Sequence, residues 1–157
     1  MHNKKPDNSF DMIFDIIIIG GGLAGLTLAI GILDKLPNAK IALIEKNKIN
    51  TETNLNPNEK NRQINNNYLQ SRYIALSLNS KIILDSLTLW DNLSEKSTVI
   101  KNIEVSDQGG FGKTYLSAEK ERLPALGYNI TIQDLGSEII RSLNNAKNKA
   151  NLQIFDE

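Results

Sequence analysis

Four consecutive isoleucines, Ile16 to Ile19, run without a gap into Gly20-Gly21-Gly22-Leu23-Ala24-Gly25. An unbroken β-branched run reads as a strand buried on both faces of a parallel sheet. The next residues, Leu26-Thr27-Leu28-Ala29-Ile30, carry a helical pattern. Strand must therefore become helix within a few residues, which is what the spacing Gly20-x-Gly22-x-x-Gly25 permits. Gly20 allows the tight turn, Gly22 lets a diphosphate approach the backbone, and Gly25 lets helix and strand pack closely. The unpaired N–H groups and dipole of the helix start favour an anion there.

A glycine turn alone is a weak signal, so its surroundings matter. Pro37-Asn38 ends the helix and Lys40-Ile41-Ala42-Leu43-Ile44-Glu45 reads as a second strand. Glu45 lies 20 residues past Gly25, about where a carboxylate bonds an adenosine ribose. Strand, turn, helix, strand and acid in that order predict a dinucleotide site. The competing reading is a βαβ unit that binds nothing, with three turn glycines as an uncompensated entropic loss.

The rest of the composition mostly excludes. The 157 residues suffice for one domain with a core. Eighteen basic side chains balance 18 acidic ones, so there is no broad field for nucleic acid. Cysteine is absent, which rules out disulfides, thiol nucleophiles and zinc–thiolate sites and fits a reducing cytoplasm. The lone histidine, His2, lies in a polar leader, so neither a histidine triad nor a metal site is expected. Asp7, Asp11 and Asp15 interrupt any signal-peptide pattern, and the run from Ile16 is too short to span a bilayer.

Along the chain, residues 1–12 read as a frayed leader. An asparagine-rich stretch, about 47–70, reads as a long exposed loop. Leu76, Ile83, Leu87 and Trp90 then suggest one helical face, with Ser77 or Asn79 as its N-cap. Ile103 to Asp107 and Thr114 to Leu116 read as a β-hairpin around Gln108-Gly109-Gly110-Phe111-Gly112. Tyr128 to Ile132 is a short strand. A helix follows, opening at Asp134 as N-cap, with Ser137 and Glu138 in its first turn and Leu135, Ile139, Ile140 and Leu143 on one face. Asn151 to Phe155 is a last strand. The fold class is α/β: a Rossmann-like βαβ with a parallel sheet plus a β-hairpin insertion. A simple nicotinamide dehydrogenase half would add further βα units at short intervals instead.

With the glycine turn, Glu45, Arg72-Tyr73-Ile74-Ala75-Leu76, Ser106-Asp107-Gln108-Gly109 and Leu126-Gly127-Tyr128 on the page, the chain resembles a known group. It is similar to the N-terminal part of the FAD-dependent aromatic hydroxylases of ubiquinone biosynthesis. Within these it resembles the UbiH/VisC-like, 2-octaprenyl-6-methoxyphenol hydroxylase type, relatives of p-hydroxybenzoate hydroxylase. The resemblance runs from Asp15 onward and implies an incomplete hydroxylase fold. Residues 13–157 would be the N-terminal portion of the FAD-binding domain. The chain stops before the family's Asp-Gly and Gly-Asp motifs and without its substrate domain.

The resemblance also implies site residues. Gly20, Gly21, Gly22, Leu23, Ala24 and Gly25 would hold the FAD pyrophosphate. Glu45 would accept from the ribose, Lys46 would lie beside the adenine, and Arg72 would reach the ribityl or pyrophosphate region. Arg72 as a solvated helix-entry residue is the competing reading. Gln133 lies near a flavin contact of the family but reads as a solvent-facing residue. Thr88 stands where the family often ends a helix with glycine. Tyr73, Tyr115 and Tyr128 read as packing residues, and no catalytic acid or base is assigned. The implied activity is hydroxylation of a prenylated phenol using NAD(P)H and dioxygen, with other ubiquinone-biosynthesis proteins as partners and a cytoplasmic or peripheral inner-membrane location. The isolated chain would be inactive. Two alternatives share the turn: an NAD(P)-dependent oxidoreductase, against whose NADP form Glu45 argues, and a non-catalytic nucleotide-binding piece that needs a complementing chain.

Overall fold

The computed structural model describes residues 13–49, 72–107 and 112–157. The expected leader, most of the asparagine-rich loop and the hairpin tip at Gln108 to Phe111 lie outside them. Strand β1 (Ile16–Ile19), helix α1 (Leu23–Lys35) and strand β2 (Ile41–Ile44) form the expected βαβ unit. The final strand β8 (Leu152–Phe155) joins the same sheet, giving the order β1-β2-β8, all parallel. The registers Ile16↔Ile41 and Ile41↔Leu152 align the C-terminal ends of all three strands. Among the described residues β1 is a rim strand, and Ile17 and Ile19 are 60% and 87% exposed.

Between β2 and β8 the chain builds two antiparallel sheets. Strands β3 (Tyr73–Ser77), β7 (Gly127–Thr131) and β4 (Thr98–Ile100) make one, with β7 central. Strands β5 (Asn102–Ser106) and β6 (Lys113–Ser117) make the predicted hairpin. Helices α2 (Leu78–Ser86) and α3 (Asp91–Ser94) follow β3, and α4 (Ile132–Asn145) follows β7.

The core lies where α1 and α4 cover one face of the parallel sheet. Ala29, Ile30 and Leu33 of α1 meet Leu135, Ile139 and Leu143 of α4 over Ile18, Ile41 and Leu43. A fully buried leucine or isoleucine contributes about 1.5–3 kcal/mol. An exposed ion pair such as Lys113–Glu104 contributes about 1 kcal/mol at most. Apolar burial therefore decides how α1 and α4 sit. Asn148 and Asn151 pin the turn before β8 by donating to the carbonyls of Leu33 (3.0 Å) and Pro37 (2.7 Å).

Three expectations are corrected. Tyr73 to Ser77 is a strand, so Arg72-x-x-Ala75-Leu76 does not open a helix. The period there is two: Ile74 and Leu76 pack on the core while Tyr73, Ala75 and Ser77 face out. Helix α2 starts only after Ser77, whose hydroxyl accepts from the Ser80 amide at 3.1 Å, so Ser77 and not Asn79 is the cap. Ile83 is exposed and Leu84 is the buried residue of α2, while Leu87 and Trp90 lie past its end. Trp90 is buried with its ring 4.8 Å, edge-on, from Tyr128.

Helix α4 begins two residues before Asp134. Thr131 is its N-cap and accepts from the Asp134 amide at 3.0 Å. Glu138 is thus in the second turn and is 7% exposed. Arg141 binds it through Nε (2.9 Å) and Nη2 (2.6 Å), and Asn92 donates to Oε1 at 3.1 Å. A carboxylate so paired is tolerated in the interior, and here it fastens α3 to α4. Strand β4 has no counterpart in the expected elements.

The departure at Thr88 has a geometric consequence. Its amide donates to the Asp85 carbonyl and the Leu89 amide to the Leu84 carbonyl, both at 2.9 Å. This double bond pattern closes a helix with a left-handed residue, and Thr88 has φ +57. That conformation costs an L-residue about 1–2 kcal/mol, part of which glycine returns as lost chain entropy. Thr88→Gly is expected to stabilise the protein by about 0.5–1 kcal/mol, seen as a raised urea midpoint at constant slope. A lowered midpoint would contradict this account of the helix end.

Candidate functional site

The site grows from the end of β1. The Gly20 amide still donates to the Ile44 carbonyl at 2.8 Å, continuing the ladder with β2. The backbone then turns at Gly20 with φ +101, a conformation open to glycine and strained for other residues. Gly22 caps α1 with no side-chain hydrogen bond. The helix's first bond runs from the Leu26 amide to the Gly22 carbonyl at 3.0 Å. The amides of Leu23, Ala24 and Gly25 precede that bond and have no helical acceptor.

The four glycines of the turn meet three different surroundings. A β-carbon on Gly25 would overlap the Gly20 carbonyl oxygen. This is the close helix–strand packing that the spacing predicts. A β-carbon on Gly20 or Gly22 would meet nothing within 4 Å among the described residues. The space beside the helix start is thus free for a group from outside, as a pyrophosphate cradle requires. Gly21 is different: a β-carbon there would collide with Ile49 and stand 3.0 Å from Glu45 Cβ. Leu23 packs on the core and Ala24 is exposed.

Glu45 follows β2 and turns its carboxylate onto the glycine turn. Oε2 accepts from the Gly21 amide at 2.6 Å, and Oε1 accepts from the Asn47 amide at 3.1 Å. The Asn47 and Gly21 amides, with that of Lys46 and the Asn47 side chain, hold the carboxyl below its usual range, against a smaller opposing effect of burial. Beyond the strand ends lies an open cleft of about 640 Å³, lined by Ile19, Gly20, Ile44, Glu45, Lys46, Phe155, Asp156 and Glu157. Ligands of open α/β sheets bind at this edge, the carboxyl ends of the strands.

Of the nominated residues, the structure brings the glycine turn, Glu45 and Lys46 together. Arg72 does not line the cleft. It is exposed at the start of β3, and its carbonyl accepts the Ile132 amide at 2.9 Å where α4 begins. One turn into α4, Gly136 packs on Leu23, with a β-carbon there 3.6 Å from Leu23 Cδ2. The Arg72 guanidinium makes no hydrogen bond among the described residues. Gln133 is exposed in the first turn of α4. Asn47, Ile49 and Asp156 belong to the site and were not singled out by sequence. The only available signal was that Asp156 follows a parallel strand.

The fold is similar to the N-terminal third of solved FAD-dependent monooxygenases. PqsL of Pseudomonas aeruginosa, described as a probable FAD-dependent monooxygenase, superposes with a TM-score of 0.58 at 15% identity, over 91% of this chain and 32% of that one. The p-nitrophenol 4-monooxygenase PnpA of Pseudomonas putida gives 0.58 at 12% identity, over 92% and 32%. In sequence the chain is similar to one ubiquinone-biosynthesis monooxygenase. It is 29% identical over 156 residues to the ubiquinone biosynthesis monooxygenase COQ6, mitochondrial, of Dictyostelium discoideum. That match covers 94% of this chain and 29% of the relative, so the chain spans under a third of the curated protein. No family model matches the chain.

The sign of the Glu45 effect fixes a pH dependence. Its carboxyl is more acidic folded than unfolded, so its stabilising bonds are complete above the unfolded value and are lost as pH falls through the folded one. The Gly21 amide resonance should shift as pH drops through and below the ordinary glutamate range. Glu45→Gln should abolish that titration. A Gly21 resonance with equal pH dependence in both proteins would show that the carboxylate does not hold the turn.

Proposed function

We propose that this chain is the N-terminal FAD-binding portion of a flavin-dependent monooxygenase that hydroxylates a prenylated phenol in ubiquinone biosynthesis, with NAD(P)H and dioxygen. The observation that carries it is the open glycine cradle with Glu45 beside it, in a chain whose sequence is COQ6-like. Bound FAD would supply electron transfer from NAD(P)H and activation of dioxygen. The chain's own residues bind and orient. The amides of Leu23, Ala24 and Gly25 face the place a pyrophosphate takes, where the α1 dipole adds to their attraction. Glu45 keeps lone pairs for ribose hydroxyls while it holds Gly21, and its charge disfavours a 2′-phosphate. Lys46 stands at the cleft for the adenine side. Arg72, uncommitted among the described residues, reaches for the pyrophosphate or ribityl region.

Substrate, reductant and further partners follow the ubiquinone-pathway reading. The proposed compartment stays cytoplasmic or peripheral to the inner membrane; the curated relative is named as mitochondrial, and no described helix is long and apolar enough to cross a membrane.

Gly22 gives a clean test. A β-carbon there meets no atom of the described residues within 4 Å, and it stands in the space a pyrophosphate would need. Gly22→Val should fold like the parent by circular dichroism and lose flavin on gel filtration, with its visible absorbance gone. Retention of flavin equal to the parent would overturn the assignment of this turn.

A further inference from the structure

The second residue of the turn, Gly21, faces away from the open cradle and is pressed from behind. Residues 45–49 fold back over it: Glu45 accepts its amide at 2.6 Å, and Ile49 occupies the space a β-carbon would need. This strap is half-buried against the core at Ile49. What closes it lies 107 residues further on: the Ile49 amide donates to Asp156 Oδ2 at 2.7 Å. Asp156 is carried there by β8. The pair Ile44↔Phe155 and the bond from the Glu45 amide to the Phe155 carbonyl (2.9 Å) continue the parallel ladder one residue beyond β2. Asp156 then emerges beside Glu45 at the cleft.

We propose that Asp156 is a positioning residue for nucleotide binding: by holding the Ile49 amide it clamps the 45–49 strap onto Gly21 and so fixes the glycine turn in its anion-binding form. This rests on the FAD-site reading. A backbone amide held by a carboxylate makes a stronger bond than a neutral acceptor gives. A turn already held in its bound form loses less freedom on binding. The glycine at position 21 then answers to the strap and not to the ligand. The strap touches the turn, so its loss should affect a ligand's phosphates and leave the bare nucleoside almost unaffected.

The test uses the full chain, labelled with nitrogen-15, and three variants. Asp156→Ala removes the acceptor, Asp156→Asn keeps a side-chain carbonyl for the Ile49 amide, and Ile49→Ala removes the contact on Gly21 while leaving Asp156. Amide exchange at Gly21 should rise about tenfold or more in Asp156→Ala and Ile49→Ala and return toward the parent in Asp156→Asn. Exchange at Ala29 and Ile30 in the core of α1 should stay unchanged. In calorimetric titrations, ADP affinity should fall about tenfold in the two alanine variants, and adenosine affinity should change less than twofold. Gly21 exchange within twofold of the parent in both alanine variants would overturn the proposal, as would equal losses for ADP and adenosine. A parent chain that binds neither FAD nor ADP would count against the FAD-site reading, and the exchange data would still decide the clamp.

Discussion

The structure depends on one approach of backbone to backbone. Gly25, in the first turn of α1, lies so close to the Gly20 carbonyl that a β-carbon cannot be inserted. This contact sets the distance between helix and sheet, and the burial of Ala29, Ile30 and Leu33 over Ile41 and Leu43 follows from it. It also points the free amides of the helix start across the ends of the strands. Packing and the proposed anion binding thus draw on the same pair of glycines. The first is a matter of dense side-chain contact, the second of unpaired donors and a dipole.

Around that contact the parallel ladder assembles the site from distant pieces. β2 delivers Glu45 to the turn, and β8, joined to β2 in register, delivers Phe155 and Asp156 to the same edge. The intervening antiparallel strands serve a different purpose. β7 lies between β3 and β4 and leads directly into α4, the helix that covers α1. Gly127 admits the β3 backbone there, since a β-carbon would strike the Leu76 carbonyl oxygen. The buried Glu138 with Arg141 and Asn92 then locks α4 to α3. The excursion between β2 and β8 thus fixes the helix that presses on the binding helix.

The βαβ unit, its turn and Glu45 could be read from the sequence because each is local: spacing and periodicity within about 30 residues specify them. The segment from Arg72 to Trp90 departs from its local pattern, because Leu76, Ile83, Leu87 and Trp90 fit a helical period by coincidence. The alternation at Tyr73 to Ser77 becomes decisive only once β7 pairs beside it. Asp134 reads as a cap because it follows a strand. Thr131 does the capping because the strand ends there. Ile49 and Asp156 were out of reach, since their meeting depends on the sheet order, which local pattern does not encode. The same holds for Glu138, whose partners on two helices make its burial possible.

The position of β1 bears on how the protein behaves in solution. The most apolar strand of the parallel sheet is its rim among the described residues, with Ile17 and Ile19 open to water. A rim of this kind offers unpaired backbone groups and a greasy surface to any neighbouring molecule. The chain has a net charge of zero at pH 7 and an isoelectric point near 6.6, so no mutual repulsion keeps copies apart near neutrality. The chain's net charge is therefore smallest near pH 6.6, and on the alkaline side, where the chain is an anion, mutual repulsion opposes association through that rim.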